Sequence, residues 1–521
     1  MLRGAGDAEE QDRAAPGTPD AKKRKRGTND GDGAPSGAGL CDDVVGNILA
    51  RLPARAAVAC TALSKRHRCL IHSPEFRSLH RRLGAPLPRP HVAYVAAAPV
   101  TRRPQQKDPV SGFVGFHVAS AGVAAPMRSL AGRRYLNMKY VNTCNGIVLL
   151  TAIANRKKEG HSADSSCRCI LWNPAIADVV QEVTVPDPPA AGSKYLVLGL
   201  GYGQRSKTYK LLLLSSGHSR RHGFVTYQLG NPGKKQPIAV SSFGLNADEI
   251  IRQHSLYMDG KIYLLSRKDL AIFAFDVDDE TVTSIDLPAM ELHEDLRWFG
   301  FSSLMELSGR PCVVTDHDDG GMAVWLLSVD DHRHRWEQKC LIGKLRLGGG
   351  ISLCSTIGVW ECGDVLVLTV EDYCHQSSGY YLFLYDVTAE KMFKAKLHRE
   401  VAPEWSFSLG YDLCWGYRPT LVSPGSIVGK LDDEDKERCR ECSKGILKAL
   451  KPVAEQDKRK GMKATLGIMC FMDFLVHIMQ MLPKDLQQVV EMTMVDSDDP
   501  DISFERVPFA RHGIRETRKG A

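Results

Sequence analysis

The chain has 521 residues, a formal net charge of +7, 43% hydrophobic residues and 15 cysteines. A chain of this length predicts about three domains, unless one large β domain takes up much of it, and the mild excess of positive charge does not indicate a nucleic-acid-binding body. No stretch reaches the roughly 18–20 unbroken apolar residues of a membrane span, and no secretory signal precedes the scattered cysteines, which are therefore expected to be free thiols.

The first segment, residues 1–39, is rich in Gly, Ala, Asp and Pro, which predicts a disordered tail. Inside it lies a run of consecutive cations: Lys22, Lys23, Arg24, Lys25 and Arg26. Such a run in a flexible tail fits the acidic groove of a nuclear import receptor, so it predicts localisation to the nucleus, with the cytoplasm as a second compartment. The alternative is a solvated charge run.

Residues 40–84 carry three short helical patterns. In the first, Asp42 and Asp43 are N-cap candidates, and the apolar residues after them fall on one helical face: Val44, Val45, Ile48, Leu49 and Leu52. Pro53 ends this helix, a second pattern follows up to Leu63, and a third begins at Ser73-Pro74, a capping residue followed by proline at the first helical position. Three helices in about forty residues make too small a core to be stable alone, so we expect them to complete their core on a partner.

The order of these patterns, with a Leu-Pro break and a basic Ser64-Lys65-Arg66 turn, resembles the F-box family. The matching residues are Leu40, Asp43, Val44, Ile48, Leu49, Leu52, Pro53, Val58, Cys60, Leu63, Ser64, Lys65, Arg66, Arg68, Leu70, Ile71, Ser73 and Phe76. Two positions depart from the family pattern, which normally has proline where Cys41 stands and tryptophan where His67 stands. Residues 40–84 are called the F-box-like segment below.

This resemblance implies a partner, a Skp-type adaptor protein, and through it membership of a cullin-RING ubiquitin ligase. It also implies which side chains contact the adaptor: Leu40, Val44, Val45, Ile48, Leu49, Leu52, Pro53, Val58, Leu63 and Ile71. The alternative is a helical hairpin that only packs on the next domain.

Residues 90–424 change to short apolar runs that are separated by turns. The clearest unit is Ser255–Pro288, where the turn Asp259-Gly260 joins two apolar runs and two more strand patterns follow. Comparable units recur about every fifty residues, and four strands per repeat at this period predict the blades of a β-propeller. The alternative architecture is an irregular pair of β-sandwiches, because a period alone does not prove that a ring closes.

Two earlier units resemble the plant F-box-associated domain. They carry Cys144-Asn145-Gly146, then Leu171-Trp172-Asn173-Pro174, and then Gly199-Leu200-Gly201-Tyr202-Gly203 followed by Tyr209-Lys210. Five units can be counted, and a sixth is predicted from strands near Val92–Val95 and Gly112–Val118, closed by a strand near Trp405–Leu421. The sequence therefore predicts about six blades in a ring without exposed edges.

The region after Pro424 changes again, to a charged linker and C-terminal helices over residues 425–495 and a flexible tail over 496–521. A broad apolar stripe at helical spacing runs through Leu466, Met469, Cys470, Met472, Phe474, Leu475, Ile478, Met479 and Leu482. Such a stripe is typical of a helix packed on its own domain, and the alternative is a partner-binding helix.

No motif predicts bond chemistry. Cys439 and Cys442 are half of a zinc site without a second pair nearby, and Gly199-x-Gly201-x-Gly203 lacks the spacing of a dinucleotide loop. We therefore predict no catalytic residue, no metal and no cofactor, and an adaptor that is not an enzyme.

The predicted fold is an α+β multidomain chain: a small all-α F-box, a mainly-β, β-propeller-like domain of about six blades, and a C-terminal helical extension. The predicted function is substrate recognition for an SCF-type (Skp–cullin–F-box) ubiquitin ligase, which tethers an unidentified target protein and involves neither nucleic acid nor membrane. The alternative is a propeller-based binding or scaffold protein with a degenerate F-box, acting outside a ligase.

Overall fold

A computed structural model of the chain describes residues 40–97, 112–120, 126–135, 138–152, 167–176, 180–186, 188, 193–216, 222–230, 238–243, 254–266, 269–288, 302–316, 321–330, 333–342, 354–372, 379–396, 411–428, 433–482, 486 and 504–507. The chain divides into two units, Met1–Val45 and Gly46–Ala521. Residues 40–45 are the described part of the first unit, and the propeller lies in the second.

The F-box-like segment is helical. Its elements are α1 (Asp42–Leu49), α2 (Ala54–Ala59), a 3₁₀ turn (Cys60–Ala62), α3 (Lys65–His72) and α4 (Pro74–Leu83). The predicted cap at Ser73 is confirmed, because its side chain accepts a hydrogen bond from the Phe76 N–H and Pro74 opens α4.

Two predictions about this segment need correction. Asp42 and Asp43 lie in the first turn of α1 and not before it, where their charges favour the positive end of the helix dipole. The predicted basic turn after Ser64 is the start of an additional helix, α3, which lies between the second and third predicted helices. Ser64 accepts a hydrogen bond from the His67 N–H and so caps this helix.

The propeller consists of six antiparallel sheets in the described part of the chain, and each sheet is one blade. Blade 1 contains β1 (His91–Ala97), β2 (Phe113–Ser120), β3 (Arg128–Ala131) and, from the far end of the domain, β24 (Tyr411–Leu413). Blade 2 contains β4 (Met138–Cys144), β5 (Ile147–Ala152), β6 (Cys167–Trp172) and β7 (Val180–Val185). Blade 3 contains β8 (Lys194–Tyr202), β9 (Tyr209–Ser216), β10 (His222–Gln228) and β11 (Ile238–Phe243).

The remaining blades repeat this order. Blade 4 contains β12 (Leu256–Met258), β13 (Lys261–Ser266), β14 (Ala271–Asp276) and β15 (Thr281–Asp286). Blade 5 contains β16 (Met305–Leu307), β17 (Arg310–Asp316), β18 (Met322–Asp330) and β19 (Arg333–Ile342). Blade 6 contains β20 (Cys354–Cys362), β21 (Val365–Asp372), β22 (Gly379–Asp386) and β23 (Lys391–Lys396). The prediction of a propeller of about six blades is confirmed.

Ring closure follows the predicted route. Strand β24 pairs antiparallel with β1, with Leu413 opposite Tyr94 and Tyr411 opposite Ala96. The chain thus completes its first blade with its last propeller strand, and the edge of β1 is paired as a closed ring requires. The sandwich alternative is excluded by this pairing.

The glycines of the Gly-Leu-Gly string in β8 let neighbouring blades approach closely. A Cβ at Gly199 would lie 2.8 Å from the Ser255 Oγ, and one at Gly201 would lie 2.5 Å from Cγ2 of Val277. Both positions therefore require glycine because of packing between blades, which gives this string a structural role.

After blade 1 closes, the described residues include the helices α5 (Pro424–Val428) and α6 (Asp433–Met481) and the strand β25 (Phe504–Val507). Helix α6 is one long helix where the sequence predicted several pieces, and β25 pairs with β23 at the outer edge of blade 6, inside the segment predicted as a flexible tail. Backbone pairing with a distant strand is not encoded in local composition, which explains this difference.

The apolar stripe of α6 packs where blades 1 and 6 meet. Phe471, Leu475 and Met479 are buried in one cluster with Tyr94 of blade 1 and Leu382 of blade 6. The interpretation of this stripe as a core helix is confirmed. Within the described residues, Glu455–Met481 is also the one helical stretch whose length and composition would suit a membrane span.

Candidate functional site: the F-box-like segment and the two ends of the ring

The two ends of the ring differ in how strands are joined. The first strands of neighbouring blades contact each other along the ring axis: Asn142 of β4, for example, bonds both backbone groups of Leu200 in β8. Two-residue turns such as Asn145-Gly146 and Asp259-Gly260 follow these first strands and define the tight-turn end. The chain leaves β1 at Ala97 and enters β2 at Phe113 on the opposite side, which we call the long-connection end.

The tight-turn end is covered by the segment Cys414–Val428, which follows β24. Trp415 packs against apolar clusters formed by residues of blades 1, 4, 5 and 6. Its ring centroid lies 5.4 Å from that of Trp360. Its carbonyl accepts a hydrogen bond from the Thr143 hydroxyl at 3.1 Å. This segment therefore closes the axis of the ring on one side.

The motifs that resemble the F-box-associated domain hold this segment in place. The Asn173 amide donates to the carbonyls of Thr420 at 2.9 Å and Val422 at 2.7 Å, and its Oδ1 accepts the Ala175 N–H at 3.0 Å. Thr420 donates its hydroxyl to the Asn145 carbonyl. A Cβ at Gly146 would lie 2.8 Å from the Arg418 carbonyl. These motifs are therefore structural clamps.

Charged side chains bridge the ring near its other end. The Nε2 of His254, just before β12 of blade 4, lies 2.7 Å from Oδ1 of Asp412 in β24 of blade 1, and its Nδ1 lies 3.1 Å from the Tyr140 carbonyl. Both ring nitrogens of His254 thus face oxygen atoms, one in β24 and one in β4. Burial lowers the pKa of neighbouring Lys139, and the Asp412 carboxylate opposes that change.

The C-terminal half of the F-box-like segment lies at the tight-turn end. The Arg81 guanidinium of α4 stands 5.0 Å from the centroid of the Tyr202 ring, where β8 ends. Leu87, which follows the segment, packs against the cluster shared by blades 1 and 2. Inside the segment, buried His80 approaches the Leu52 carbonyl at 3.0 Å through Nε2, and burial lowers its pKa.

The residues predicted to contact an adaptor fall into three groups. Exposed side chains are those of Leu40 (57%), Val44 (42%), Ile48 (52%), Leu63 (67%) and Pro53. Val45, Leu52 and Val58 are half-buried. Leu49 and Ile71 are buried. Contact of these residues with an adaptor stays a prediction.

Other predicted features lie outside the described parts. Lys22, Lys23, Arg24, Lys25 and Arg26 precede the described residues, and the side chains of Cys439 and Cys442 belong to the part of α6 whose burial is not described. Across the residues that are described, no group of three or more His, Cys, Asp or Glu side chains is placed to hold a metal ion.

The clamping residues of the covering segment, Trp415 and Thr420, were not found from the sequence. The available signal was the string Cys414-Trp415-Gly416-Tyr417, whose aromatic residues directly follow the last propeller strand. Arg81 was missed as well, because a cation at the end of a helix normally indicates only a favourable dipole interaction.

Comparison with known proteins agrees with this geometry. The model of a family described as the F-box associated beta propeller domain matches residues 104–416, more than half of the chain. The chain belongs to this family. The matched range of the F-box-associated propeller begins in the connection after β1 and ends at Gly416, within the covering segment.

No curated protein matches the chain. Among solved structures, the F-box-associated propeller is similar to a putative 6-phosphogluconolactonase from Bacteroides fragilis, at 11% identity and a TM-score of 0.27 over 58% of this chain and 93% of that one. It is also similar to a hypothetical selenium-binding protein from Sulfolobus tokodaii, at 11% identity and a TM-score of 0.29 over 66% and 93%. Structural similarity at such low identity and TM-score supports no conclusion about function.

Proposed function

We propose that this chain is the substrate-recognition subunit of an SCF-type ubiquitin ligase, in which the F-box-like segment binds a Skp-type adaptor and the propeller holds a target protein. One observation carries the proposal: exposed apolar side chains are concentrated in the F-box-like segment of a chain whose propeller belongs to the F-box-associated family. They are Leu40, Val44, Ile48 and Leu63. Exposed apolar side chains that recur within one short segment are typical of a protein interaction surface.

The energetic gain from covering these side chains is large enough to matter. Complete burial of a Leu or Ile side chain contributes about 1.5–3 kcal/mol. Ile48 and Leu63 leave 52% and 67% of their surface exposed, so covering the rest of both contributes about 2–4 kcal/mol together. That amount corresponds to a factor of roughly thirty to a thousand in Kd.

The contribution of this chain to ubiquitination is proximity and not bond chemistry. A target held on the propeller has its lysines at high effective concentration near a ubiquitin-loaded enzyme that the cullin-RING machinery brings to the adaptor. Because the C-terminal half of the F-box-like segment lies at the tight-turn end, where Cys414–Val428 covers the axis, the long-connection end is left for the target.

The test is retention of a purified Skp-type adaptor by the full-length chain. Ile48→Glu and Leu63→Glu place a charge where the adaptor would exclude water, and we expect each to reduce retention by at least about tenfold. Val329→Glu, at a blade 5 side chain that is 45% exposed, is the matched control and should leave retention unchanged. Circular dichroism melts report whether each variant is folded. Undiminished retention by both F-box variants would refute the proposal.

Two further parts of the proposal concern compartment and alternatives. We expect Lys22 to Arg26 to carry the chain into the nucleus. Replacement of this run by alanine in a fluorescent fusion should abolish nuclear localisation.

The alternative function, a scaffold with a degenerate F-box, predicts that the unmodified chain does not retain the adaptor. A small ligand on the ring axis is the less favoured form of that alternative, because Trp415 and the His254–Asp412 pair occupy the axis.

A further inference from the structure

Two half-buried arginines from different parts of the chain have no anionic partner. Arg55 belongs to α2 of the F-box-like segment, and Arg128 is the first residue of β3 in blade 1. Within the described part of the chain, no carboxylate pairs with either guanidinium, and the Nε of Arg128 is buried without a hydrogen-bond partner. Buried cations are normally paired, so the residues around these two leave positive charge uncompensated.

Backbone register and aromatic packing bring both cations to Tyr417 of the covering segment. Arg128 stands directly opposite Phe116 of β2, so the two side chains lie on the same face of blade 1. The Phe116 ring centroid lies 4.7 Å from that of Tyr417. Tyr417 in turn lies close enough to Arg55 for each to act on the other's pKa. Arg55, Arg128 and Tyr417 therefore lie together where the F-box-like segment, blade 1 and the covering segment meet.

The electrostatics of this group, which we call the Arg55–Arg128 site, favour an anion. Burial lowers the pKa of Arg55, and the positive charge of Arg128 lowers it further. Burial raises the pKa of Tyr417, so its hydroxyl keeps its proton and can donate a hydrogen bond. The three side chains thus offer N–H and O–H donors and two positive charges, with no negative charge among them.

We propose that the Arg55–Arg128 site binds a phosphate group, either free phosphate or the phosphate of a small phosphorylated molecule. A phosphate monoester carries nearly two negative charges at neutral pH, which balances both guanidiniums, whereas a single carboxylate would leave one cation unpaired. Arginine suits this ligand because its planar guanidinium bonds two phosphate oxygens at once. A bound phosphate connects α2 to blade 1 and to the covering segment, and so holds the F-box-like segment against the ring. The site does not depend on the proposed ligase function, since it requires no adaptor.

The experiment titrates sodium phosphate into the full-length chain by isothermal titration calorimetry at about pH 8, where the phosphate is mostly doubly ionised. We expect saturable binding with a Kd below about 1 mM, because hydrogen bonds to charged groups are stronger than average. Arg55→Gln and Arg128→Gln should each weaken binding by at least about tenfold, and Tyr417→Phe, which removes one hydroxyl, by about threefold. The matched control, Arg82→Gln, removes an exposed cation of α4 and should have no effect.

Two further ligands define the chemistry that the site recognises. Sodium acetate should bind at least about tenfold more weakly than phosphate, because it carries one charge. Phosphoserine distinguishes the two sources of the group: binding at least as tight as that of phosphate indicates a phosphorylated molecule, and weaker binding indicates free phosphate.

Four binding results would overturn the proposal: no saturable binding of phosphate, unchanged binding by both arginine variants, equal weakening by Arg82→Gln, or equally tight binding of acetate. Urea denaturation without phosphate gives a second, independent measurement. Both glutamine variants should be at least as stable as the unmodified chain, because each relieves repulsion between two half-buried cations. A lower stability of both would mean that the arginines hold the fold themselves, which also contradicts the proposal.

Discussion

Replacement of Asn173 by alanine tests whether the family motif acts as a clamp on the covering segment. The side chain is fully buried, and its amide makes the three hydrogen bonds to Thr420, Val422 and Ala175 described above. Each hydrogen bond contributes about 0.5–1.5 kcal/mol net, and buried groups left without a partner cost more. We expect Asn173→Ala to lower the free energy of unfolding by about 2–4 kcal/mol, a large part of the total for a typical domain.

The assay is urea denaturation followed by tryptophan fluorescence, combined with limited proteolysis. If Asn173 clamps the segment, the variant should unfold at lower urea concentration and be cleaved faster between Cys414 and Val428 under native conditions. Gln204→Ala, at an exposed amide in the 203–208 turn, is the control and should change neither result. A loss below about 0.5 kcal/mol with unchanged cleavage would show that the hydrogen bonds to Asn173 do not hold the segment.

Other expectations concern β8 and the neighbouring turn. Gly201→Ala should lower the free energy of unfolding by about 1–3 kcal/mol, because its Cβ would overlap Val277, whereas Gly425→Ala meets nothing closer than 3.8 Å and should not destabilise; equal stability of the two variants would contradict this packing. Burial acts to raise the pKa of Asp278, but hydrogen bonds from the N–H groups of Arg205 and Ser206 lower it to about 2. Asp278 therefore contributes stability above about pH 4 that is lost as the pH falls toward 2. Asp278→Asn should abolish this part of the pH dependence in urea midpoints measured at pH 5 and pH 2.5, and a variant that keeps the full dependence would disprove it.

The blades were predictable because their signals are local. The turns at Asp259-Gly260 and Ser308-Gly309 have positive φ angles at both residues. Two-residue hairpin turns require such angles, and Asp-Gly adopts them readily. Apolar runs on either side fix the strands, and a repeat of about fifty residues gives the blades. Ring closure was also accessible, because strand patterns remained unassigned at both ends of the domain.

The clamp and the helix boundaries were not predictable, for physical reasons. Thr420 of the covering segment bonds Asn145 in the turn after β4, and no pattern near either residue predicts a partner so distant in sequence. The basic residues after Ser64 were predicted to form a turn as part of the F-box pattern, yet the side-chain cap at Ser64 begins a helix there. In the F-box-like segment, helical spacing placed Leu49 on an apolar face, and this side chain is buried.

The pairing of β1 with β24 has a consequence for biosynthesis. The edge of β1 at Tyr94 stays unpaired until Leu413, near the end of the domain, has left the ribosome. Contacts so distant in sequence form late because closing a long loop costs entropy. A product truncated before Tyr411 carries the F-box-like segment but leaves the edge of β1 unpaired, and an unpaired strand edge promotes aggregation. Completion of translation is thus the event that protects the nascent propeller from self-association.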